Sequence, residues 1–185
     1  MASRKTIGNI VFYNILHQFD PQSNMNSKVG VGDTKTVFDL TSRPSISLQS
    51  YLRRLEDYRV LNGKTSVPLL IFLKRFLKST DLTLSGRNVH KLVSTALLLA
   101  AKIIYDERIP SKSFSSVSGI SAEEIDKLEK NFTTGLDFNF YIDRKTYNEE
   151  VSSLVESYSK FILNNFKNEN CNEHLLTIDE FVSMH

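Results

Sequence analysis

The sequence has a single cysteine, and its histidines lack the spacing of metal ligands. Cys171 has no second cysteine with which to form an internal disulfide. It lies beside Asn170 and Asn172 in a polar stretch, where we expect an incidental free thiol in a reducing compartment. The four histidines have neither metal-ligand spacing nor a nearby cysteine or histidine partner. We therefore predict no metal site and no cofactor.

An excess of charge and a long hydrophobic run are also missing. Lysine and arginine number 23 against 21 aspartate and glutamate residues, and the net charge of +2 argues against a nucleic-acid partner, which would need several clustered phosphate contacts. The longest charge-free apolar run, residues 92–101, is half of the roughly 20 residues that cross a bilayer. Residues 1–9 have no apolar core of a signal peptide. We expect an intracellular protein, in the nucleus, the cytoplasm or both, without a membrane span.

Sequence motifs of catalysis are not recognisable either. The chain has no glycine-rich phosphate loop, no serine or cysteine nucleophile in a known setting and no HExxH metal motif. Its strong patterns are all explained by helix packing. A binding role is therefore favoured over catalysis, and we expect no small-molecule substrate.

Helical patterns dominate what is present. Residues 88–107, NVHKLVSTALLLAAKIIYDE, are apolar on every side of a 3.6-residue period as far as the charged end, which predicts a helix in the middle of a bundle. Apolar stripes predict helices over SISLQSYLRRLEDY, ending near Asn62 and Gly63, and over VPLLIFLKRFL. A short helix is predicted from Ser111 to Ser118, and a capping box from Ser121 to Glu124 begins the next. No strand pair is recognisable, so the predicted fold is an all-α bundle.

The pattern divides the chain into three parts. Residues 1–43 form an N-terminal segment, in which 7–19 are a short helix or an extended arm and 20–36 a flexible linker rich in polar residues and glycine. Residues 44–140 contain five helices. Residues 141–185 form a helical extension, in which a capping box over residues 146–149 precedes one helix and residues 177–180 begin a last short one.

Four segments together carry a resemblance to a known family. They are SISLQSYLRRLEDY, VPLLIFLKRFL, NVHKLVSTALLLAAKIIYDE and SVSGISAEEIDKLEKNFTTGLDFNF. They resemble a single five-helix cyclin box, most of all that of the phosphate-pathway (P-type) cyclins, whose pattern includes a YLxRL first helix, an AaK ending on the third helix and a terminal LdF. The resemblance covers about half of the chain.

The resemblance implies a non-catalytic regulatory subunit that binds a cyclin-dependent protein kinase and activates it by positioning the kinase C helix. Cyclins hold the kinase with a lysine of the third helix and a glutamate of the fifth, and the matching residues here are Lys102 and Glu129. Ile104, Tyr105 and Ile109 are candidate anchors beside them. Without the resemblance, each charged residue is more simply explained as a solvated helix charge. We expect a monomer when no kinase is bound.

The sequence also departs from the common cyclin pattern. Lys74 stands where many cyclins have an aspartate before the arginine of the second helix, so the usual bridge to Arg53 or Arg54 is in doubt. The 45 residues after Phe140 are too few for a second box. One alternative function stays open: a cyclin-like helical adaptor in transcription or nucleic-acid binding, without kinase activation.

Overall fold

The computed structural model describes residues 36–41, 44–105 and 109–166, with side chains as far as residue 160. This part of the chain contains six helices and no strand, which confirms the all-α prediction. In chain order they are α1 (Leu48–Asp57), α2 (Ser66–Thr80), α3 (Val89–Ile104), α4 (Ser111–Ser118), α5 (Ala122–Gly135) and α6 (Arg144–Phe166). Five of them lie between residues 44 and 140, as predicted. The helices proposed for residues 7–19 and 177–180, and the linker up to residue 35, lie outside the described residues.

Helix α3 is the centre of the bundle. Every residue from Val89 to Ala101 is buried, and α1, α2 and α5 pack around it. Small side chains such as Ala96 and Ala100 let these neighbours approach closely. The predicted burial on all sides holds as far as Ala101. It is wrong for the last turn, where Ile103 is 46% exposed.

Helix α1 is shorter than its apolar stripe predicts. Leu48 and Leu55 are buried as expected, but the helix ends at Asp57 rather than near Asn62. Arg59 takes a left-handed conformation, with φ of 59°, which turns the chain away from the helix axis. Tyr58 is consequently 60% exposed and does not belong to the buried stripe.

The N-terminal end of α5 is fixed by a local capping residue, and its C-terminal end by close packing against α2. Ser121 Oγ accepts a hydrogen bond from the Glu124 backbone N–H at 3.2 Å, which confirms the predicted N-cap. The Glu124 carboxylate lies 2.7 Å from Lys91 Nζ on α3. At the other end, a Cβ atom on Gly135 would lie 2.9 Å from Phe76 Cδ2 and would also press on Thr80. Only glycine allows α5 to approach α2 so closely at this point.

Helix α6 begins before the predicted capping box. Asp143, not Thr146, caps it: Asp143 Oδ1 accepts a hydrogen bond from the Thr146 backbone N–H at 2.7 Å, and this bond lowers the pKa of the Asp143 carboxyl. The prediction of a box over residues 146–149 is therefore wrong by three positions. The apolar residues of α6 face the core: Leu154 is buried, and Tyr147, Val151, Val155 and Tyr158 pack against the core. An ion pair of 2.6 Å between Lys74 and Glu150 ties α6 to α2.

Residues 36–41, which the sequence analysis assigned to the N-terminal segment, lie against the bundle. Phe38 is 3% exposed and meets the rings of Phe76 and Phe132 edge-on, at centroid distances of 5.2 and 6.2 Å. Lys91 Nζ donates to the Asp39 carbonyl at 3.0 Å and reaches the Val37 carbonyl at 3.4 Å. This short strap closes the core at the N-terminal end of α3.

Candidate functional site

The candidate site lies at the C-terminal end of α3, where it meets α5. Lys102 Nζ is 2.6 Å from Glu129 Oε1 and 2.7 Å from Glu129 Oε2. The two side chains are 28% and 22% exposed, so the pair lies at the edge of the core and part of each charged group faces solvent. The structure thus brings together the two charged residues that the resemblance indicated.

The helix positions explain this placement. Lys102 directly follows the buried run that ends at Ala101, and Glu129 directly follows Leu128, which is buried. Each charged residue is therefore rotated by about 100° from a core position on its own helix. The lysine stem can cover apolar surface while its ammonium group stays at the rim.

The three predicted apolar anchors are less accessible than a residue that the prediction missed. Ile104 and Tyr105 are partly buried. Ile109 is partly buried as well, and it packs against the small cluster of Leu98, Phe114 and Ile125. Ile103, next to Lys102, exposes more surface than a core residue would. Its apolar character favoured one more core position, and only the tertiary structure shows that it is exposed.

Tyr105 has a specific partner. Its hydroxyl oxygen accepts a hydrogen bond of 2.9 Å from Asn62 Nδ2, in the loop between α1 and α2. Its backbone N–H donates to the Ala101 carbonyl at 2.9 Å and completes the last turn of α3. The sequence contained no signal for this contact, because the two residues are far apart in the chain.

A buried polar network fixes α1 against α3 and α4. The Tyr51 hydroxyl donates to the Ser118 carbonyl at 3.0 Å and also hydrogen-bonds Ser94 Oγ, and burial raises the pKa of Tyr51. The His90 ring lies 5.1 Å from the Tyr51 ring, centroid to centroid. Burial lowers the pKa of His90, and the nearby backbone of Ile46 and Ser47 opposes this shift only in part. These groups support the bundle and lie in its interior, away from the exposed rim.

Three basic residues of α1 and α2 have structural partners. Arg54 Nη2 donates to the Ser116 carbonyl at 2.9 Å, and Arg75 Nη1 donates to the Tyr141 carbonyl at 2.7 Å. Lys74 pairs with Glu150, as described above. A carboxylate from α6 thus lies beside the position at which many cyclins have an aspartate, and Arg54 binds the end of α4.

The described residues contain neither a metal-binding cluster nor a membrane-spanning helix. Within 36–41, 44–105 and 109–166, no group of three or more histidine, cysteine, aspartate or glutamate side chains is placed to hold a metal ion. None of the helices in these ranges combines the length and the apolar character that a membrane span requires. A shallow depression open to solvent runs along α6 between Arg144 and Glu156.

Helices α1 to α5, arranged around the buried α3, have the architecture expected of a cyclin box, and comparison with known proteins agrees. A family model described as Cyclin matches residues 17–140. The chain is 32% identical to Cyclin-U3-1 of Arabidopsis thaliana over 133 residues, covering 71% of this chain and 60% of that protein. It is 34% identical to Cyclin-U4-1 of the same plant over 120 residues, covering 64% and 59%. It is also 28% identical to Cyclin-P3-1 of Oryza sativa subsp. japonica over 117 residues, covering 63% and 50%.

The chain belongs to the cyclin family, whose members are generally non-catalytic regulatory proteins. P-type cyclins are among its relatives, which confirms the predicted resemblance. The match to the family model ends at Phe140 and begins well before residue 44, inside the segment that the sequence analysis placed outside the box. The chain spans 50–60% of the length of these three relatives.

Proposed function

We propose that this cyclin binds a cyclin-dependent protein kinase through the C-terminal end of α3 and the adjacent face of α5, and that it activates the kinase by positioning the kinase C helix. The Lys102–Glu129 pair supports this proposal most directly. The pair lies at the edge of the core, and Ile103, the residue after Lys102, is exposed, so charged and apolar groups are both accessible at this end of α3. We propose Ile104, Tyr105 and Ile109 as further contacts with the kinase.

The pair retains hydrogen-bonding capacity for a partner. An ammonium group has three N–H donors and a carboxylate has about four acceptor positions, and the contact between Lys102 and Glu129 uses only some of them. A kinase carbonyl can therefore accept from Lys102 while a kinase N–H donates to Glu129. Once apolar contacts exclude water, such charged hydrogen bonds define the register of the two proteins as well as adding affinity.

Activation then follows from differential affinity. A cyclin that contacts the C helix only in its active position stabilises that position by the difference between its binding free energies for the two states. Moving a population from 1:99 to 99:1 takes about 5.5 kcal/mol of such a difference. The catalytic groups belong to the kinase in this scheme, and the cyclin contributes none. We also propose that the chain is intracellular and monomeric before it meets the kinase.

The test is a direct titration. The purified chain is titrated by calorimetry against a panel of purified cyclin-dependent kinases, and phosphate transfer from ATP to a peptide is measured for each mixture. We expect saturable binding and increased transfer for at least one kinase, with binding abolished by Glu129→Lys while the helical circular dichroism is unchanged. Glu156→Lys is the matched control, because Glu156 forms an exposed ion pair with Lys160 on α6, within one helix.

Two results would count against the proposal. Equal kinase binding by wild type, Lys102→Ala and Glu129→Lys would remove the site assignment. A salt-dependent shift of a DNA probe at low micromolar protein, with no kinase in the panel bound, would favour the nucleic-acid adaptor instead.

A further inference from the structure

The loop between α1 and α2 is connected to the end of α3 by one side chain. Asn62 Nδ2 donates to the Arg59 carbonyl and to the Tyr105 hydroxyl, both at 2.9 Å, and Asn62 Oδ1 accepts from the Lys64 backbone N–H at 2.9 Å. Both amide donors and one acceptor position are thus occupied. The orientation of the amide is determined by the loop, so the donor that faces Tyr105 is held in place before any partner arrives.

The loop around Asn62 is itself well connected. Thr65 Oγ1 accepts from the Asn62 backbone N–H at 3.1 Å and donates to the Val60 carbonyl at 2.8 Å. Arg59 holds a positive φ, a conformation that persists in a residue other than glycine only when its surroundings impose it. The Asn62 amide is therefore part of a rigid turn rather than a mobile surface group.

Tyr105, the residue that Asn62 holds, lies at the end of α3, next to the proposed kinase-binding residues. Tyr105 directly follows α3 in extended conformation, three positions after Lys102 and two after the exposed Ile103. The last carbonyl groups of a helix have no partner within the helix, so its final turn frays easily. A hydrogen bond from the separate α1–α2 loop restrains that turn from outside.

We infer that Asn62 is a positioning residue for kinase binding, which acts through the Tyr105 hydroxyl by holding the last turn of α3 in its binding geometry. The inference rests on the function proposed above. Preorganising a binding surface raises affinity because the ordering cost is met before association. A neutral hydrogen bond contributes modestly to such ordering, so we expect its loss to weaken kinase binding about three- to tenfold.

The experiment compares Tyr105→Phe, Asn62→Ala and the double variant, each titrated against a kinase from the panel that binds the wild-type chain. Tyr105→Phe removes only the acceptor oxygen and keeps the ring, so the bundle remains folded. The matched controls are Tyr141→Phe, in an exposed tyrosine of the α5–α6 connection, and Asn148→Ala, on the exposed face of α6. Hydrogen exchange across residues 98–105 is measured in the free chain at the same time.

We expect Tyr105→Phe to weaken binding in the wild-type background and to have no further effect in the Asn62→Ala background, because both substitutions remove the same bond. In both single variants, amide hydrogen exchange in the last turn of α3 should become faster, while the melting temperature stays nearly unchanged. Unchanged kinase affinity in Tyr105→Phe, or an equal loss of affinity in both backgrounds, would overturn this inference and leave the proposed function standing. If no kinase binds the wild-type chain, the proposed function fails, and faster exchange would then identify the Asn62–Tyr105 bond as a purely structural brace.

Discussion

Lys102 Nζ lies within 2.7 Å of both carboxylate oxygens of Glu129, although 27 residues separate the two in the chain. Partly exposed ion pairs contribute about 0–1 kcal/mol to folding, which is little for a contact between two helices. Removing one partner of a charged pair at a desolvated interface costs about 2–5 kcal/mol of binding free energy. The same pair should therefore matter far more for association than for folding.

Exchanging the two charges separates these roles. The double variant Lys102→Glu with Glu129→Lys keeps an ion pair between α3 and α5, so its free energy of unfolding should stay within about 1 kcal/mol of wild type. The charges that face the kinase are exchanged, so the binding free energy should weaken by about 2–5 kcal/mol. Denaturant titration and calorimetry measure the two quantities. Retention of wild-type affinity would mean that the kinase does not contact these charges.

Replacing Ile103 tests the apolar half of the proposed surface. Ile103→Glu should leave the free energy of unfolding within about 0.5 kcal/mol of wild type, because the side chain is already half exposed. Kinase binding should weaken at least tenfold, since a charge would be buried against the partner. Val37→Glu is the control, because Val37 is equally exposed and its backbone lies beside Lys91, at the opposite end of α3. Equal effects of the two substitutions would show that Ile103 is not part of the interface.

Phe38→Ala should destabilise the whole bundle. Its ring is buried edge-on against the stacked rings of Phe76 and Phe132, and truncating a buried phenylalanine costs about 3–5 kcal/mol. Chemical denaturation followed by circular dichroism measures the loss. Val37→Ala, one residue away and exposed, should change little. A bundle that folds independently of residues 36–41 would show no difference between the two variants.

Gly135→Ala should also be destabilising, although alanine is the better helix former. The added methyl group would clash with the Phe76 ring and press on Thr80, and overpacking of this kind costs about 1–3 kcal/mol. The adjacent Thr134→Ala, at an exposed site, is the control and should be neutral or slightly stabilising. Greater stability of the Gly135→Ala variant would mean that α2 and α5 can move apart at no cost.

The stability of the fold should decrease when the pH falls below about 6.5. Burial lowers the pKa of His90 from its usual 6.5, so the unfolded chain binds a proton more readily than the folded one. The contribution of the neutral ring is complete above pH 6.5 and is lost progressively as the pH falls through the folded pKa. His90→Gln should flatten this slope between pH 7 and 5 in thermal unfolding. Parallel profiles for the two proteins would exclude His90 as the source.

Several elements could be predicted because their causes are local. Ser111–Ser118 ends at Gly119, whose φ of 72° suits glycine, and Ser121 caps α5 through a side chain three residues from its partner. The pairing of Lys102 with Glu129 could be anticipated only through the family resemblance. Periodicity alone places each residue on the surface of its helix and does not predict that the two side chains form an ion pair.

Other features depended on contacts that no sequence window contains. The end of α1 differs from the prediction because the apolar spacing continues to Tyr58, whereas the helix ends at Asp57 and the backbone turns at Arg59. The start of α6 was misjudged because Thr146 and Asp143 are both good caps, and Asp143 is the one used. Glu124 looked like half of a capping box, yet its carboxylate pairs with Lys91 on another helix.

The sequence by itself determined the five helices of the box and the burial of α3, because apolar periodicity and capping are short-range properties of the chain. Its motifs also pointed to the cyclin family. Only the tertiary structure decided which residues reach the rim: Ile103 is exposed, Tyr105 is held by Asn62, and Phe38 enters the core. These outcomes depend on how closely distant parts of the chain approach one another, and such distances are set by the packing of the whole bundle.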